Sequence, residues 1–363
     1  MLLVLPEAFN CAGGIQMFNR ALCLACGRWA ERNGARVSAL VLNDDSTPDA
    51  RYVNGGFASY VGTKKSKLRF TQNYLRHIMT KQYEQIIFGH AALSPLALIA
   101  RRLRPLIKLS AIAHGVEVWC QLPKTQRLAL HQMDLILAVS DYTKDELVRN
   151  NALPPEKIRV FPNTLDPYWG RTSQPAPHES ATPIILSVTR MNKDDRYKGI
   201  DSVIKSLPKV LEEVGPVQYR IVGEGSDLPR LRALAAGLGL GRYVSFLGGV
   251  PDAELREQYR QCSLFIMPSR KEGFGIVFLE AMAYSKPVIG GAHGGTPSVI
   301  KDGETGLLVN SSDVEAISQS ITRLLRDEEM RETFGRMGHQ RLTSEFTFDR
   351  FEQNLDEVFL SLS

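Results

Sequence analysis

Short apolar segments alternate with segments of helical periodicity along most of the chain, and this alternation restricts the folds that the sequence can adopt. Candidate strands lie at residues 1–5, 36–42, 85–89, 108–114, 135–140, 157–161, 183–189, 217–223, 244–247, 264–268, 287–291 and 306–309. Candidate helices lie at residues 17–32, 68–81, 94–103, 124–133, 140–150, 200–214, 227–238, 252–260, 276–284 and 314–326. Because the strands are apolar almost throughout, we expect both of their faces to be buried. The pattern predicts an α/β protein whose parallel sheets are covered by helices on both faces.

The stretch at residues 166–183 interrupts the alternation, since it is rich in Pro, Ser and Thr. At 363 residues the chain is long enough for two domains. We therefore predict two Rossmann-like, doubly wound domains, at residues 1–168 and 169–347, joined by this linker. A final helix is predicted within residues 348–363. Its apolar residues at helical spacing are Phe351, Leu355, Val358 and Phe359.

The composition argues against membrane-spanning, secreted and metal-binding classes of protein. No apolar run approaches the ~18 residues of a spanning helix. The first residues lack the basic leader and the cleavage site of a signal peptide, so we interpret them as the first strand. The five cysteines are Cys11, Cys23, Cys26, Cys120 and Cys262. Cys23 and Cys26 lie in an apolar helical pattern, which favours buried thiols over zinc or redox chemistry. A reducing cytoplasm is the expected location of the protein.

The net charge is +5, and basic residues concentrate between Lys64 and Lys108. This basic region contains ten Lys or Arg residues and a single acid, Glu84. One interpretation is an ordinary solvated surface. The other is a patch for anionic lipid headgroups at the inner face of the plasma membrane, or for an acceptor that carries a diphosphate. Nucleic acid is not expected as a partner, because the sequence contains no known nucleic-acid-binding module.

The segment after the candidate strand at residues 264–268 combines a glycine turn with two carboxylates. Glu272 lies in the turn, and Glu280 lies on the second turn of the helix that follows. Gly273 and Gly275 let the backbone approach a ligand closely, and the free N–H groups at the helix start suit an anion. A carboxylate can also accept two hydrogen bonds from the vicinal diol of a ribose or a hexose. The alternative is a surface turn before an ordinary core helix.

Two cations follow the candidate strand at residues 183–189. Arg190 comes directly after the strand, and Lys198 lies next to the start of the following helix. An arginine fork and a lysine point charge beside a helix N-terminus suit a diphosphate. The alternative is a pair of surface bases near Asp194 and Asp195.

Residues at two strand ends of the first half are placed for ligand contact. His114 ends the strand at residues 108–114, and Gly115 leaves room beside it. Ligands of open α/β sheets bind outside the carboxyl ends of strands, and the alternative for His114 is a structural histidine. Gly13 and Gly14 precede the first helix, where a tight turn without a ligand is the alternative.

The turn after the strand at residues 217–223 begins like a dinucleotide-binding fingerprint. Gly223 and Gly225 match the fingerprint, but Leu228 occupies the position of its third glycine. The dinucleotide-binding interpretation is therefore rejected, and an NAD-dependent dehydrogenase is kept only as a minor alternative.

Glu272 and Glu280, with Gly-Phe-Gly after the first, resemble the E-x7-E signature of the retaining glycosyltransferases of family 4. Further segments resemble motifs of the same family, in the same order along nearly the whole chain. These segments are Gly13-Gly14, His114-Gly115-Val116-Glu117, Arg190 with Arg196-Tyr197-Lys198-Gly199, Phe246-Leu247-Gly248 and Gly294-Gly295-Thr296-Pro297. The resemblance implies a GT-B fold, in which two Rossmann-like domains face each other across a cleft and the terminal helix packs back on the N-terminal domain.

The resemblance also implies a role for each site residue. Arg190, Lys198 and the helix start would hold the diphosphate of a nucleotide sugar, and Glu280 would bind its ribose. Glu272 would bind hydroxyls of the transferred sugar, and His114 would contact that sugar near the reaction centre. The other expected substrate contacts are Gly13, Gly14, Gly223, Gly248, Gly273, Phe274, Gly275 and Ile276. Retention would follow from a front-face mechanism in which the leaving phosphate accepts the proton of the acceptor.

The segment from Arg190 to Gly199 is most similar to bacterial mannosyltransferases that build exopolysaccharide repeat units on a lipid diphosphate. We therefore expect GDP-mannose as the donor and a lipid-diphosphate-linked oligosaccharide as the acceptor, with UDP-glucose or another UDP-hexose as the alternative donor. No cofactor is expected, and the absence of a D-x-D motif favours a metal-independent site. A glycoside hydrolase would leave the two cations unexplained. A sugar-nucleotide epimerase of the same architecture and a non-catalytic sugar-nucleotide sensor are the remaining alternatives.

Overall fold

Neighbouring strands pair in parallel throughout both halves of the chain in the computed structural model, which confirms the predicted fold class. The structure describes residues 1–11, 13–169 and 182–362. These residues form two units: one comprises residues 1–167 with the segment that begins at Thr347, and the other is Tyr168–Phe346. Most of the predicted linker, at residues 170–181, lies outside the described residues.

The first unit contains a seven-stranded sheet with the order β3-β2-β1-β4-β5-β6-β7. The order changes direction between β1 and β4, and such a switch point is where open α/β sheets bind ligands. The strands are β1 (Leu2–Leu5), β2 (Val37–Val41), β3 (Phe57–Gly62), β4 (Gln85–Phe88), β5 (Lys108–Ala113), β6 (Leu135–Ala138) and β7 (Ile158–Val160). The helices between them are α1 (Gly14–Arg32), α2 (Lys67–Thr80), α3 (Pro95–Leu103), α4 (Lys124–His131) and α5 (Asp141–Asn151).

The second unit contains a six-stranded sheet with the order β10-β9-β8-β11-β12-β13 and a switch point between β8 and β11. The strands are β8 (Ile184–Val188), β9 (Gln218–Val222), β10 (Val244–Gly248), β11 (Leu264–Met267), β12 (Val288–Gly291) and β13 (Gly306–Val309). The helices are α6 (Ile200–Val214), α7 (Leu228–Gly237), α8 (Asp252–Gln261), α9 (Ile276–Ala283), α10 (Val314–Arg326) and α11 (Glu328–Glu345).

The central strands are buried along their whole length, which explains why their sequences do not alternate. Every residue of β1, β2 and β4 is buried in the first unit, as is every residue of β11 and β12 in the second. Each sheet thus has helices against both faces and forms its own apolar core. Polar side chains for chemistry can then come only from the loops and helix ends at the sheet edges.

The chain ends in α12 (Phe348–Leu362), which belongs to the first unit. Its buried face packs on α1: the rings of Phe18 and Phe351 lie 5.5 Å apart, edge to face. Arg32 of α1 also pairs with Asp356 of α12 at 3.0 Å. The terminal apolar spacing therefore marks a helix that completes the core on the α1 side of this sheet.

The sequence pattern missed two elements, β3 and α11, and both bury little apolar surface. None of the residues of β3 is buried, because it is the outer strand of its sheet. Helix α11 buries only four of its 18 residues, and two of these are Gly335 and Gly338. Glycine disfavours helices in isolation, so packing against the rest of the second unit has to stabilise α11.

Gly335 gives a test of that packing. A Cβ atom built on Gly335 would overlap the backbone carbonyl oxygen of Ser285. We expect Gly335→Ala to lower the free energy of unfolding of the second unit by about 1–3 kcal/mol, because the new methyl group has no room. In an unobstructed helix the same change would instead stabilise by roughly 1 kcal/mol. Chemical denaturation followed by circular dichroism measures the difference.

Gly237 supplies the matched control, since no atom lies within 4 Å of a Cβ built at this last residue of α7. Gly237→Ala should leave the free energy of unfolding unchanged or raise it by up to about 1 kcal/mol. A Gly335→Ala protein that is as stable as Gly237→Ala would contradict the close packing of α11 on this carbonyl.

Candidate functional site

The turn between β11 and α9 places a helix N-terminus at the switch point of the second unit. Gly275 precedes α9 with φ of 100°, a conformation that favours glycine. A Cβ at Gly275 would also lie 2.5 Å from the ring of Phe278. The side chains of Phe274 and Ile276 are buried in the core. Contacts from residues 274–276 to a ligand therefore fall to backbone atoms, including the free N–H groups that begin α9.

Lys198 and Glu272 form an ion pair in which Nζ lies 2.5 Å from Oε2. The two side chains are only 14% and 15% exposed, which excludes the alternative that Lys198 is a surface base. Burial is the largest single influence and lowers the pKa of Lys198, but the charge and the hydrogen bond of Glu272, together with Tyr197, raise it, so the net pKa is above that of an ordinary lysine. Two residues predicted to bind different parts of a ligand thus contact each other, and Lys198 stays charged at neutral pH.

Arg190 lies two residues beyond β8, and its side chain is 68% exposed. Its guanidinium is 3.7 Å from the carboxylate of Asp195. The predicted alternative, a surface base near an acid, is therefore partly correct for Arg190. Asp195 itself is buried and accepts hydrogen bonds from the side chains of Asn192 (2.9 Å) and Tyr197 (3.2 Å). The loop is therefore anchored by Asp195, while Arg190 remains accessible to an anion.

Gly223 and Gly248 join two further strand ends beside this loop. The N–H of Gly223 donates to the carbonyl of Gly248 at 2.8 Å. Gly223 has φ of 130°, and a Cβ there would overlap the carbonyl oxygen of Thr189. Gly248 has φ of 74° and more space, since the nearest atom to a Cβ at this residue is a carboxylate oxygen of Glu224 at 3.8 Å. Gly223 thus allows the backbones of the loops to pack closely, whereas the space next to Gly248 is open.

Glu280, the second carboxylate of the sequence motif, is 4% exposed. The hydroxyl of Tyr259 donates a hydrogen bond to its Oε2 atom at 2.7 Å. Burial, and then the Glu280 charge, raise the pKa of Tyr259 well above that of an ordinary tyrosine. The structure therefore holds Glu280 against α8, in surroundings unlike those of Glu272.

His114 follows β5 directly and is half-buried. Its Nε2 atom lies 2.8 Å from the carbonyl oxygen of Gly89. A carbonyl can only accept, so Nε2 carries the proton and Nδ1 of the neutral ring keeps a lone pair. Burial is the largest cause that lowers the pKa of His114, to about 4. His114 is therefore a neutral hydrogen-bond acceptor at physiological pH.

His90, which the sequence pattern did not single out, stands beside His114. The two rings are 5.6 Å apart, at the ends of the adjacent strands β4 and β5. The Nδ1 atom of His90 accepts the N–H of Ala92 at 3.0 Å, so Nε2 carries the proton in the neutral ring. The signal that could have found it is that His90, like His114, follows an apolar strand.

Gly13 and Gly14 begin α1 after a loop that side chains hold in place. The carboxylate of buried Asp44 accepts backbone N–H groups from residues 8–10, at 2.8 to 3.4 Å. Arg20 of α1 donates to a carbonyl of the same loop at 2.6 Å. The sequence pattern did not indicate Asp44 either, because its partners, the backbone groups of residues 8–10 and the hydroxyl of Tyr60, are far from it in the chain.

Two further kinds of feature are absent from the described part of the chain. Within residues 1–11, 13–169 and 182–362, no group of three or more His, Cys, Asp or Glu side chains could hold a metal ion. No helix in those ranges is both long and apolar enough to cross a bilayer.

Two protein-family models match the chain. The model described as Glycosyltransferase Family 4 matches residues 13–168, and the model described as Glycosyl transferases group 1 matches residues 171–341. Together they cover almost all of both units.

Individual proteins of known name or structure are also similar to the chain. A GDP-mannose-dependent alpha-(1-6)-phosphatidylinositol monomannoside mannosyltransferase of Mycobacterium tuberculosis is 31% identical over 77% of this chain and 76% of its own length. The N-acetyl-alpha-D-glucosaminyl L-malate synthase of Bacillus anthracis is 26% identical over 70% of this chain and 68% of its own. The solved sucrose-phosphate synthase of Thermosynechococcus elongatus superposes with a TM-score of 0.81 at 20% identity, over 99% of this chain and 98% of that one.

The lowered pKa of His114 can be measured directly. In ¹³C-histidine NMR of the wild-type protein, the His114 signal is identified by its absence from the His114→Gln spectrum. We expect this signal to titrate near pH 4. Because the folded chain binds this proton less readily than the unfolded chain, His114 should destabilise the fold as pH falls from about 6.5 towards 4. The other six of the seven histidines serve as internal controls. A midpoint near 6.5 would contradict the buried, neutral state.

Proposed function

The chain belongs to family 4 of the glycosyltransferases and has the GT-B fold, and we propose that it transfers a mannosyl residue from GDP-mannose to a lipid-linked or glycan acceptor in cell-surface polysaccharide biosynthesis. Hexosyl transfer is the activity of the family. The observation that supports a nucleotide-sugar donor in this chain is the half-buried Lys198–Glu272 pair beside the start of α9. The choice of GDP-mannose is supported by the 31% identity to the mycobacterial GDP-mannose-dependent enzyme.

In this proposal the cations of the second unit bind the donor diphosphate. Arg190 is exposed at the end of β8, and the N–H groups of α9 lie at the end of the adjacent strand β11. The bond between the anomeric carbon and the phosphate oxygen breaks during transfer, and negative charge builds up on the leaving diphosphate. Cationic groups and N–H dipoles that already face this position lower the barrier.

The Lys198–Glu272 pair links the leaving group to the sugar. An ammonium has three N–H donors, of which one is used by Glu272 in the structure. The others can bind phosphate oxygens while Glu272 accepts hydrogen bonds from hydroxyls of the transferred sugar. A single lysine would then align sugar and diphosphate and keep the half-buried carboxylate neutralised.

Two further residues, Glu280 of the second unit and His114 of the first, have proposed roles in binding the donor. Glu280 binds the ribose diol, as a carboxylate accepts from two neighbouring hydroxyls. His114 accepts a hydrogen bond from the transferred sugar through Nδ1, because Nε2 is held by Gly89. A neutral imidazole orients the sugar without adding a second positive charge. Retention of configuration would follow if the leaving phosphate accepts the proton of the attacking hydroxyl on the same face of the sugar.

The basic region between Lys64 and Lys108 is the proposed contact with the membrane that carries the acceptor. Its charges are accompanied by protruding apolar side chains: Leu68 is 70% exposed and Leu106 is 92% exposed. Cationic side chains attract anionic headgroups, and exposed leucines can enter the interface.

A different donor is the second candidate. The similar Bacillus anthracis enzyme is named as an N-acetyl-alpha-D-glucosaminyl L-malate synthase, a name without mannose. We therefore keep a UDP-hexose with another acceptor as the alternative. An epimerase that acts without an acceptor is a further alternative, and an acceptor-free reaction distinguishes it.

Donor choice can be tested with purified protein and no added metal. We expect ligand-observed NMR to show binding of GDP-mannose in preference to UDP-glucose, UDP-N-acetylglucosamine and NAD. Arg190→Ala should then lower mannosyl transfer by at least about tenfold, with little change in stability because Arg190 is exposed. The retained or inverted anomeric configuration of the product is read by NMR of a separate reaction that also contains a lipid-linked acceptor. Selective binding of a UDP-sugar would replace the proposed donor, and binding of none would remove the proposed site.

Membrane contact can be tested with vesicles. We expect the protein to co-sediment with vesicles rich in phosphatidylglycerol but not with phosphatidylcholine vesicles, and added salt should weaken the binding. Leu106→Ser should reduce it several-fold without affecting the fold, because this side chain is 92% exposed. Leu360→Ser, at an exposed leucine of α12, is the matched control. Equal binding of both variants and the wild-type protein would contradict a role for this surface.

A further inference from the structure

Glu280 is almost fully buried, and yet it has to present a carboxylate to a ligand if it binds the donor ribose. It lies on the second turn of α9 and is 4% exposed. Its Oε2 atom accepts the hydroxyl hydrogen bond of Tyr259, on α8, at 2.7 Å. We propose that Tyr259 is a positioning residue, which holds the Glu280 carboxylate in the orientation that receives the ribose diol of the donor. This inference rests on the proposed role of Glu280.

The Tyr259 hydroxyl donates this hydrogen bond, and its other acceptor, the backbone carbonyl of Val277, is farther away at 3.4 Å. Tyr259 is fully buried, and the buried hydroxyl next to a carboxylate has its pKa raised. The phenol therefore stays protonated and donates, and the carboxylate accepts. A bond of 2.7 Å to a charged acceptor is of the strong, charge-assisted kind.

The ring of Tyr259 is itself fixed by other aromatic rings. It stacks on Tyr284 with an interplanar angle of 5° and a centroid distance of 6.2 Å. Phe265 of β11 lies 5.6 Å away, and Trp169 meets it edge to face at 6.0 Å. Because these contacts come from separate segments, the hydroxyl has one position. The carboxylate bonded to it has correspondingly little rotational freedom.

Loss of the hydroxyl should act on ligand binding through Glu280. Without the donated hydrogen bond, the carboxylate loses a partner inside the protein and its preferred rotamer. Binding of the diol then has to order the side chain again, and this cost appears as weaker affinity. The removal of one hydrogen bond to a charged group corresponds to a tenfold to hundredfold loss, as an order of magnitude.

The experiment compares a ribonucleotide with its analogue that lacks the diol. Isothermal titration calorimetry measures the dissociation constants of GDP and 2′,3′-dideoxy-GDP for the wild-type protein, Tyr259→Phe and Glu280→Ala. Should the donor screen show a uridine donor, UDP and its dideoxy analogue take their place. We expect Tyr259→Phe to weaken GDP binding about tenfold or more, to leave dideoxy-GDP binding unchanged, and to have no further effect when combined with Glu280→Ala.

Tyr219→Phe is the matched control. Tyr219 is another fully buried tyrosine of the second unit, and its hydroxyl is paired with Ser187 at 2.9 Å rather than with Glu280. Tyr219→Phe should alter neither dissociation constant. Thermal unfolding of all variants reports whether the fold is intact.

The outcomes separate the inference from the function on which it rests. If Glu280→Ala loses no affinity for GDP, Glu280 does not bind the ribose, and both the role of Glu280 and the inference fall. If Glu280→Ala loses affinity and Tyr259→Phe does not, only the inference is overturned. The same holds if Tyr259→Phe weakens GDP and dideoxy-GDP equally, because a general structural effect would then explain the loss.

Discussion

Parallel pairing of strands that are buried on both faces is the constraint on which the rest of this structure depends. Such sheets satisfy their backbone groups internally and fill both faces with apolar side chains, so they leave only strand ends and helix ends for chemistry. Each unit follows this rule. Arg190 and Glu272 follow β8 and β11 at the switch point of one sheet, and His90 and His114 follow β4 and β5 in the other.

The ion pair of Lys198 and Glu272 determines the electrostatics of the second unit's site. Either charge alone would be unfavourable at 14–15% exposure, and together they are compensated. The pair also means that neither Lys198 nor Glu272 is a free charge for a ligand, whereas the exposed Arg190 remains accessible. A donor therefore binds next to an existing salt bridge. The ammonium of Lys198 has N–H groups that Glu272 does not use, so it can bind the donor and stay paired with Glu272.

The two carboxylates of the E-x7-E motif have the same chemistry and different surroundings. Glu272 is held by an ammonium in the turn, whereas Glu280 is held by a phenol inside the helical layer. The lysine partner of Glu272 can also bind a charged group of the ligand. The hydrogen bond from the phenol holds Glu280 in place before a ligand binds. This difference agrees with the proposed roles. Glu272 binds the transferred sugar, and Glu280 binds the ribose, which is remote from the bond that breaks.

The sequence alone determined the fold class and the two Rossmann-like halves, because apolar runs, helical spacing and glycine turns are local properties of the chain. It also indicated the strand ends at which the candidate site residues lie. It missed β3 and α11, since an outer strand and a glycine-containing helix bury too little apolar surface to leave such a pattern. Contacts were decided by the tertiary structure. Lys198 meets Glu272 across 74 residues, and Tyr259 meets Glu280 across 21. Strand order and helix packing bring these groups together, and the residue spacing within a single segment predicts neither of them.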